Sequence, residues 1–227
     1  MIELKNVSKV YELDGENFTA LENINIKIKD GEFVAIVGPS GCGKSTLMHI
    51  IGLLDDPSVG KVIVNDIDVT ELDDDKISKL RSQYIGFIFQ QFNLINKLTV
   101  SENILLPIQY LRKKLDFDPK KRALELMERF NILEKANSYP NKLSGGQQQR
   151  VAIVRALINN PKIILADEPT GNLDSKTGTK ILDLLKELNK KDGLTVIIVT
   201  HDSSIATLSR RKITMFDGMI KGDSLTR

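Results

Sequence analysis

A glycine-rich segment follows a short apolar run near residue 38. Residues 38–46 match the pattern G-x-x-x-x-G-K-[ST], and the apolar residues 33–37 before them predict a buried strand. Gly38, Gly41 and Gly43 let the backbone bend so that successive N–H groups point at phosphate oxygens, and a helix beginning at Lys44 would direct its positive dipole end there. The segment therefore predicts a binding site for a nucleoside triphosphate.

The polar residues of this segment suggest individual roles. Lys44 would neutralise the β- and γ-phosphates, the hydroxyl of Ser45 is a hard oxygen ligand for a phosphate-bound Mg²⁺, and Thr46 would reach another phosphate. Ser40 and Cys42 complete the loop that encloses the phosphates. Because Cys42 lies at a helix N-terminus, we expect its alkylation to block nucleotide binding sterically.

Two adjacent carboxylates end a second apolar run. Asp167 and Glu168 follow residues 162–166, so they are expected at a carboxyl edge of the sheet, where nucleotide sites of open α/β folds lie. Asp167 suits a metal role, directly or through water, and Glu168 would accept a proton from the attacking water. The alternative is a solvated acidic turn.

A second glycine pair precedes a helical pattern. Leu143, Ser144, Gly145, Gly146 and Gln147 come directly before residues 148–158. Ser144 is a good N-cap, the glycines allow close backbone approach, and the helix N-terminus offers free N–H groups to an anion. On its own, this segment is more typical of an ordinary capped helix after a glycine turn.

The order of the predicted elements indicates an α/β fold with a mixed sheet. Alternating patterns at 2–7 and 23–28 predict antiparallel strands in the N-terminal part, and apolar runs at 60–65, 86–89 and 195–200 predict further strands. Residues 176–191 predict a helix between two strands, as in a βαβ unit, and 212–218 predict a closing hairpin. From 92 to 160 the apolar spacing becomes helical, which predicts an inserted helical lobe.

Composition excludes several classes of protein. With 32 basic and 30 acidic residues the net charge is +2, and the short cluster at 112–114 is expected to be a solvated loop or helix end rather than a nucleic-acid tract. The single cysteine excludes an intramolecular disulfide and is ordinary for a reducing cytosol. No apolar run approaches the ~18 residues needed to span a bilayer, and no secretion signal is visible. We therefore expect any membrane role to depend on a partner.

Together these motifs resemble the nucleotide-binding subunit of an ATP-binding-cassette (ABC) transporter over nearly the whole chain. LSGGQ at 143–147 is similar to the family's signature, and it lies between the phosphate loop and the Walker B run that ends at Asp167 and Glu168. The resemblance implies a P-loop NTPase fold of the ABC type, with ATP and Mg²⁺ bound. It also implies one nucleotide-binding domain, with a RecA-like core and antiparallel β part at 1–91 and 161–227 and a helical lobe at 92–160.

The resemblance implies further site residues. Tyr11 resembles the aromatic residue that stacks on adenine, although it would also fit as an aromatic residue at a strand edge. Gln90 resembles the Q-loop glutamine that touches the metal or the attacking water, Asp174 resembles the D-loop aspartate near a partner subunit, and His201 resembles the switch histidine that contacts the γ-phosphate. His49, on the helix after the phosphate loop, is expected to serve packing.

The family also implies partners. Its signature segment completes the ATP site of a second copy docked head to tail, so a homodimer would enclose two ATP molecules. Residues 89–95, 98–104 and 167–174 look like the macrolide-export and lipoprotein-release group. That group implies a separate membrane permease, a position at the cytoplasmic face of the membrane, and a periplasmic adaptor as a further candidate partner. Its members drive export, lipoprotein release or mechanical work in the periplasm.

Other functions remain open at this point. The cell-division ATPase of the same group has a similar pattern. ABC ATPases that act on DNA or ribosomes usually have paired cassettes, long coiled coils or zinc inserts, and this sequence shows none of these. A phosphotransferase would leave the LSGGQ segment without a role.

Overall fold

The computed structural model describes residues 1–13, 15–111 and 115–225, so the basic cluster at 112–114 lies outside the described residues. The chain divides into two compact units: unit 1 comprises residues 1–78 and 193–227, and unit 2 comprises residues 79–192.

Unit 1 contains an antiparallel sheet from the N-terminal part of the chain. The strands β1 (Ile2–Leu13) and β2 (Glu16–Ile28) form a long hairpin, β4 (Val59–Val64) pairs with the other edge of β1, and the short β5 (Ile67–Asp68) pairs with β4. The spatial order is β2-β1-β4-β5. This confirms the predicted antiparallel strands, although β1 and β2 extend well beyond 2–7 and 23–28.

The remaining strands of unit 1 surround a fully buried central strand. β3 (Phe33–Val37) lies parallel to β8 (Thr195–Thr200) on one side and parallel to β9 (Arg211–Phe216) on the other, and β10 (Met219–Leu225) closes a hairpin with β9. Every residue of β3 and β8 is buried, which explains their continuous apolar runs. The predicted closing hairpin is therefore confirmed.

Helices of unit 1 follow these strands. Helix α1 (Lys44–Ile51) comes after the phosphate loop and buries Leu47, Met48, Ile50 and Ile51, while α7 (Ser203–Ala206) follows β8. Helix α2 (Asp74–Tyr84) begins in unit 1 and ends in unit 2, and it was not expected from the sequence.

Unit 2 combines two parallel strands with helices. β6 (Ile85–Ile88) pairs with β7 (Ile163–Asp167), and the helices are α3 (Val100–Leu105), α4 (Pro119–Arg129), α5 (Gly145–Leu157) and α6 (Ser175–Asp192). Short 3₁₀ turns occur at Leu106–Tyr110, Leu133–Lys135 and Pro140–Lys142. The helical spacing between 92 and 160 therefore predicted the right type of structure. The division into a core and a helical lobe bounded at 92 and 160 remains a prediction.

Candidate active site

The phosphate loop of unit 1 connects β3 to α1 and is pressed against the backbone around it. Gly43 is the N-cap of α1 with φ 95°, in the left-handed region, and a Cβ there would lie 2.5 Å from the carbonyl oxygen of Ala20. A Cβ on Gly38 would lie 2.4 Å from the carbonyl oxygen of Met215. Both positions therefore require glycine, because the loop lies against β9 and against β2 at Ala20.

Lys44 places its charge inside this loop. Its ammonium donates to the carbonyl oxygens of Gly38 and Pro39 at 2.9 and 2.7 Å, and the residue is only 9% exposed. Ser45 and Thr46 follow in the first turn of α1, whose N–H groups have no intrahelical acceptor. A fixed cation beside these donors fits a polyphosphate.

The other loop residues have different surroundings. Ser40 and Gly41 are exposed, and Gly41 has φ 78°. Cys42 is buried at 3% exposure, with its Sγ 3.8 Å from the Lys44 Nζ. A reagent must displace the packing of the loop to reach this thiol, so the expected block of nucleotide binding by alkylation remains a prediction.

Tyr11 lies near the end of β1, opposite Phe18 of β2. Its hydroxyl donates to the Asp55 carboxylate at 2.6 Å, and the residue lies close to the Thr46 side chain. The structure therefore places Tyr11 next to the phosphate loop, within the same unit.

His201 leaves the sheet of unit 1 at the same edge as the phosphate loop. Strands β3 and β8 are parallel, with Val37 opposite Thr200, so Gly38 and His201 are the next residues on neighbouring strands. His201 is exposed. This edge, at the carboxyl ends of parallel strands, is where open α/β sheets bind ligands.

The unit 2 residues form a second group, again at the carboxyl ends of parallel strands. Ile88 of β6 lies opposite Ala166 of β7, so Gln90 and the Asp167–Glu168 pair lie just past the same edge. Glu168 has φ 41°, a left-handed conformation that is uncommon for a residue other than glycine. Such backbone conformations concentrate at functional sites.

Gln90 is in contact with the segment that contains Asp174. The Asn172 side-chain amide donates to the Gln90 carbonyl oxygen at 2.9 Å, and a Cβ on Gly171 would lie 2.7 Å from the Gln90 Nε2. Asp174 accepts from the Thr177 backbone N–H at 3.0 Å, and hydrogen bonds from Thr177 lower the pKa of this carboxyl. Unit 2 therefore brings together the predicted Q-loop and D-loop.

The glycine pair before α5 lies against the same segment. Ser144 is the N-cap of α5 and forms a capping box with Gln147, whose side chain accepts from the Ser144 N–H at 2.9 Å. A Cβ on Gly146 would lie 2.5 Å from the Thr177 Cγ2, and one on Gly145 would lie 3.1 Å from Leu173. The glycines therefore allow α5 to pack closely on the D-loop segment and the start of α6.

Sequence reasoning missed two residues of α5 that support this group. Gln149 is fully buried, and its Nε2 donates to the Pro169 carbonyl oxygen at 2.6 Å, next to Glu168. Arg155 donates to the carbonyl oxygens of Phe92 and Asn93 at 2.8 and 2.5 Å. These last two residues have φ 60° and 48°, directly after the Q-loop. A polar residue within the apolar face of α5 was the only signal of Gln149 in the sequence.

The predicted metal ligands have the chemistry that Mg²⁺ prefers. Ser45, Gln90 and Asp167 offer hydroxyl, amide and carboxylate oxygens. Among the described residues, no group of three or more His, Cys, Asp or Glu could hold a metal ion. Mg²⁺ in phosphoryl transfer usually takes its other ligands from waters and substrate phosphates, so these three oxygens would supply only part of its coordination shell.

Comparison with known proteins decides the family. The ABC transporter family profile matches residues 21–171. The ATP-binding protein MJ0796 of Methanocaldococcus jannaschii is 54% identical over all of this chain and 98% of its own length. The chain belongs to the ABC transporter family. A solved dimer of the MJ0796 cassette, in a post-hydrolysis state bound to ADP and Pi, superposes with a TM-score of 0.91 at 52% identity and covers 100% of this chain and 99% of that one.

The similarity to these proteins also bears on the alternatives that the sequence left open. The chain is the ATP-binding subunit of an ABC transporter and hydrolyses ATP, and its fold is the mixed α/β fold of the ABC cassette. The cell-division and soluble alternatives are not favoured.

A longer relative shows where the similarity ends. The macrolide export ATP-binding/permease protein MacB of Bdellovibrio bacteriovorus is 47% identical over 98% of this chain, which spans 34% of the length of MacB. In the described part of this chain, no helix has the length and apolar character needed to cross a membrane.

Proposed function

We propose that two copies of this ABC subunit close head to tail around ATP. In this arrangement the phosphate loop of one copy and the signature segment 143–147 of the other bind the same ATP. Each chain has one phosphate loop and one signature helix, so a pair of copies has two complete sites. The dimer of MJ0796 supports this proposal by similarity.

One observation carries the proposal. In unit 2, the signature glycines Gly145 and Gly146 lie against Leu173 and Thr177, on either side of Asp174 in sequence. The two segments that the family resemblance assigns to the partner-facing surface therefore form one continuous patch. The thirteen-residue helix α5 directs its N-terminal dipole to this patch, which suits the γ-phosphate of a nucleotide on another copy.

In the proposed hydrolysis, each side chain of the site has its own role. Glu168 accepts a proton from the water whose oxygen attacks the γ-phosphorus, and His201 contacts the γ-phosphate. Lys44 neutralises the β- and γ-phosphates, and Tyr11 stacks on adenine. Ser45, Gln90 and Asp167 would hold Mg²⁺, which supplies charge neutralisation between the phosphates when bound.

The contacts in unit 2 suggest how ATP affects the dimer surface. Gln90 is linked to Asn172, and the residues after Gln90 are linked to α5 through Arg155. A shift of Gln90 would therefore displace both the D-loop and the signature helix. Loss of the γ-phosphate removes the group that bridges the two copies, so hydrolysis opens the dimer.

The proposed assembly includes a permease at the cytoplasmic face of the membrane. The similarity to MacB supports a permease of the macrolide-export and lipoprotein-release group, with a periplasmic adaptor as a further component. We expect the permease on a separate chain. The work done would be export, lipoprotein release or movement of the permease's extracytoplasmic part.

Affinity purification tests this assembly. Tagged Glu168→Gln protein is purified from native membranes with ATP and Mg²⁺, and the same variant without nucleotide is the control. Mass spectrometry should identify a permease with a large extracytoplasmic domain, enriched by ATP. Ribosomal or DNA-repair partners would contradict the transporter assignment, and cell-division proteins would contradict the subgroup.

A further inference from the structure

Three side chains form a hydrogen-bonded cluster beside the phosphate loop. The Asp55 carboxylate accepts from the Lys9 ammonium at 2.5 Å through Oδ1 and from the Tyr11 hydroxyl at 2.6 Å through Oδ2. The Lys9 ammonium also lies 4.9 Å from the centroid of the Tyr11 ring and donates to the Asp56 carbonyl oxygen at 2.7 Å. We call Lys9, Tyr11 and Asp55 the base-site cluster.

The charged pair of this cluster is more shielded than a typical surface ion pair. The side chains of Lys9 and Asp55 are 13% and 29% exposed. Burial raises the pKa of Asp55, but hydrogen bonds from Lys9 and Tyr11 outweigh it, and the pKa lies below its usual range. Burial and the hydrogen bond to Asp55 raise the pKa of Tyr11, so the phenol keeps its proton and donates.

Asp55 is attached to the end of the phosphate-loop helix. The Gly52 N–H donates to the Met48 carbonyl oxygen at 2.8 Å, and the Leu54 N–H donates to the His49 carbonyl oxygen at 2.8 Å. The position of Asp55 is therefore determined by α1. Tyr11 also lies close to Thr46 in the first turn of α1, so it is near groups at both ends of that helix.

We propose that Lys9 and Asp55 are positioning residues that hold the Tyr11 ring in the orientation in which it stacks on the adenine of ATP. This inference rests on the proposed stacking role of Tyr11. Tyr11 lies on a partly exposed strand position, where an untethered ring would sample several rotamers. The hydrogen bond to Asp55 fixes the ring tilt, and the Lys9 ammonium lies over one face, which leaves the other face for the base.

A purely structural role would give different results. If the cluster only attached β1 to the segment after α1, its loss would disturb the phosphate loop and weaken every ligand of that loop. If it orients Tyr11, its loss would weaken only ligands with a base. Inorganic tripolyphosphate contains the phosphate chain without the base, so it separates the two roles.

The experiment compares dissociation constants for ATP and tripolyphosphate, both with Mg²⁺, in the full chain. Asp55→Asn, Lys9→Met and Tyr11→Phe should each raise the Kd for ATP about three- to ten-fold, as expected for one hydrogen bond to a charged group. Their Kd for tripolyphosphate should change less than about two-fold, and kcat at saturating ATP should fall much less than the affinity for ATP. The matched control is Asp68→Asn, which breaks the exposed Lys61–Asp68 pair of the same unit.

A double variant sharpens the result. Tyr11→Ala should raise the Kd for ATP about ten-fold or more, since base–aromatic stacking is lost. Adding Asp55→Asn to Tyr11→Ala should cause no further loss, because Asp55 then has no ring to orient. The inference would be overturned if adding Asp55→Asn to Tyr11→Ala raised the Kd for ATP as much as Asp55→Asn does alone. It would also be overturned if the variants raised the Kd for tripolyphosphate as much as the Kd for ATP.

The outcomes also separate this inference from the proposed function. If Tyr11→Ala leaves the Kd for ATP unchanged, the stacking role of Tyr11 is wrong and the positioning role is wrong with it. If Tyr11→Ala weakens ATP binding but Asp55→Asn and Lys9→Met do not, only the positioning role is wrong.

Discussion

Lys44 in unit 1 is held by carbonyl oxygens of its own loop, whereas Gly145 and Gly146 in unit 2 are held against side chains of a neighbouring segment. The unit 1 group is the proposed phosphate and base site, in which the charged side chains of Lys44, Lys9 and Asp55 have hydrogen-bond partners. The unit 2 group is a set of packed segments: Q-loop, D-loop and the start of α5. We therefore expect changes in unit 1 to act mainly on ATP binding, and changes in unit 2 to act mainly on hydrolysis and dimer closure.

The largest expected effect is in unit 2 and separates hydrolysis from binding. Glu168→Gln removes the proposed general base, so turnover should fall about 10²–10⁴-fold while ATP still binds. Steady-state phosphate release and the Kd for ATP measure the two properties. Glu125→Gln, an exposed site on α4, is the control. Unchanged phosphate release in Glu168→Gln would refute Glu168 as the base.

The matching change in unit 1 should act on binding. Lys44→Ala removes a nearly buried cation from the phosphate loop, so the affinity for ATP or turnover should fall at least about 100-fold. The exposed Lys61→Ala serves as control, since it changes net charge equally. Normal activity in Lys44→Ala would overturn the assignment of the loop.

Gly146→Ala tests whether packing within unit 2 supports dimer closure. The new Cβ would lie 2.5 Å from the Thr177 Cγ2, so α5 or α6 must shift, and turnover should fall about ten-fold. Thr177→Ser removes that methyl group and should restore part of the activity in the double variant. Failure of this rescue would mean that Gly146 is needed for approach to something other than Thr177.

The smallest expected effect concerns the link between α5 and the Q-loop. Arg155→Lys replaces the planar guanidinium, whose two terminal nitrogens each reach one carbonyl oxygen of Phe92 and Asn93, by a single ammonium with a different geometry, and the free energy of unfolding should fall by about 1 kcal/mol. We expect kcat to fall about two- to five-fold, since Gln90 is then less well positioned. Thermal unfolding measures the change in stability, and phosphate release measures kcat. A change in stability with unaltered kcat would limit Arg155 to a structural role.

Continuous apolar runs determine how much of the fold could be predicted from the sequence. The strand bounds of β3 and β8 agree with the predicted 33–37 and 195–200, because fully buried strands have an unbroken apolar pattern. Helix α2 was missed because it buries only Leu80 and has little apolar periodicity. The ends of β1 and β2 were missed because their residues are mixed polar and exposed.

Candidate site residues within short motifs can be located in the sequence, whereas contacts between distant segments cannot. The loop at 38–46 and the Asp167–Glu168 pair have fixed spacing, so their chemistry is visible in the sequence. The Lys9–Asp55 contact joins residues 46 positions apart, and the left-handed Glu168 depends on tertiary packing. Neither has a local sequence signal.

Light scattering of the Glu168→Gln protein with ATP and Mg²⁺ gives its mass in solution. This measurement tests most directly whether ATP joins two copies of the chain. An ATP-bridged dimer predicts twice the chain mass of 25.4 kDa with ATP, and the monomer mass with ADP or without nucleotide. Adding Lys44→Ala to this variant should leave it monomeric. A Glu168→Gln protein that is saturated with ATP and still has the mass of one chain would contradict the account.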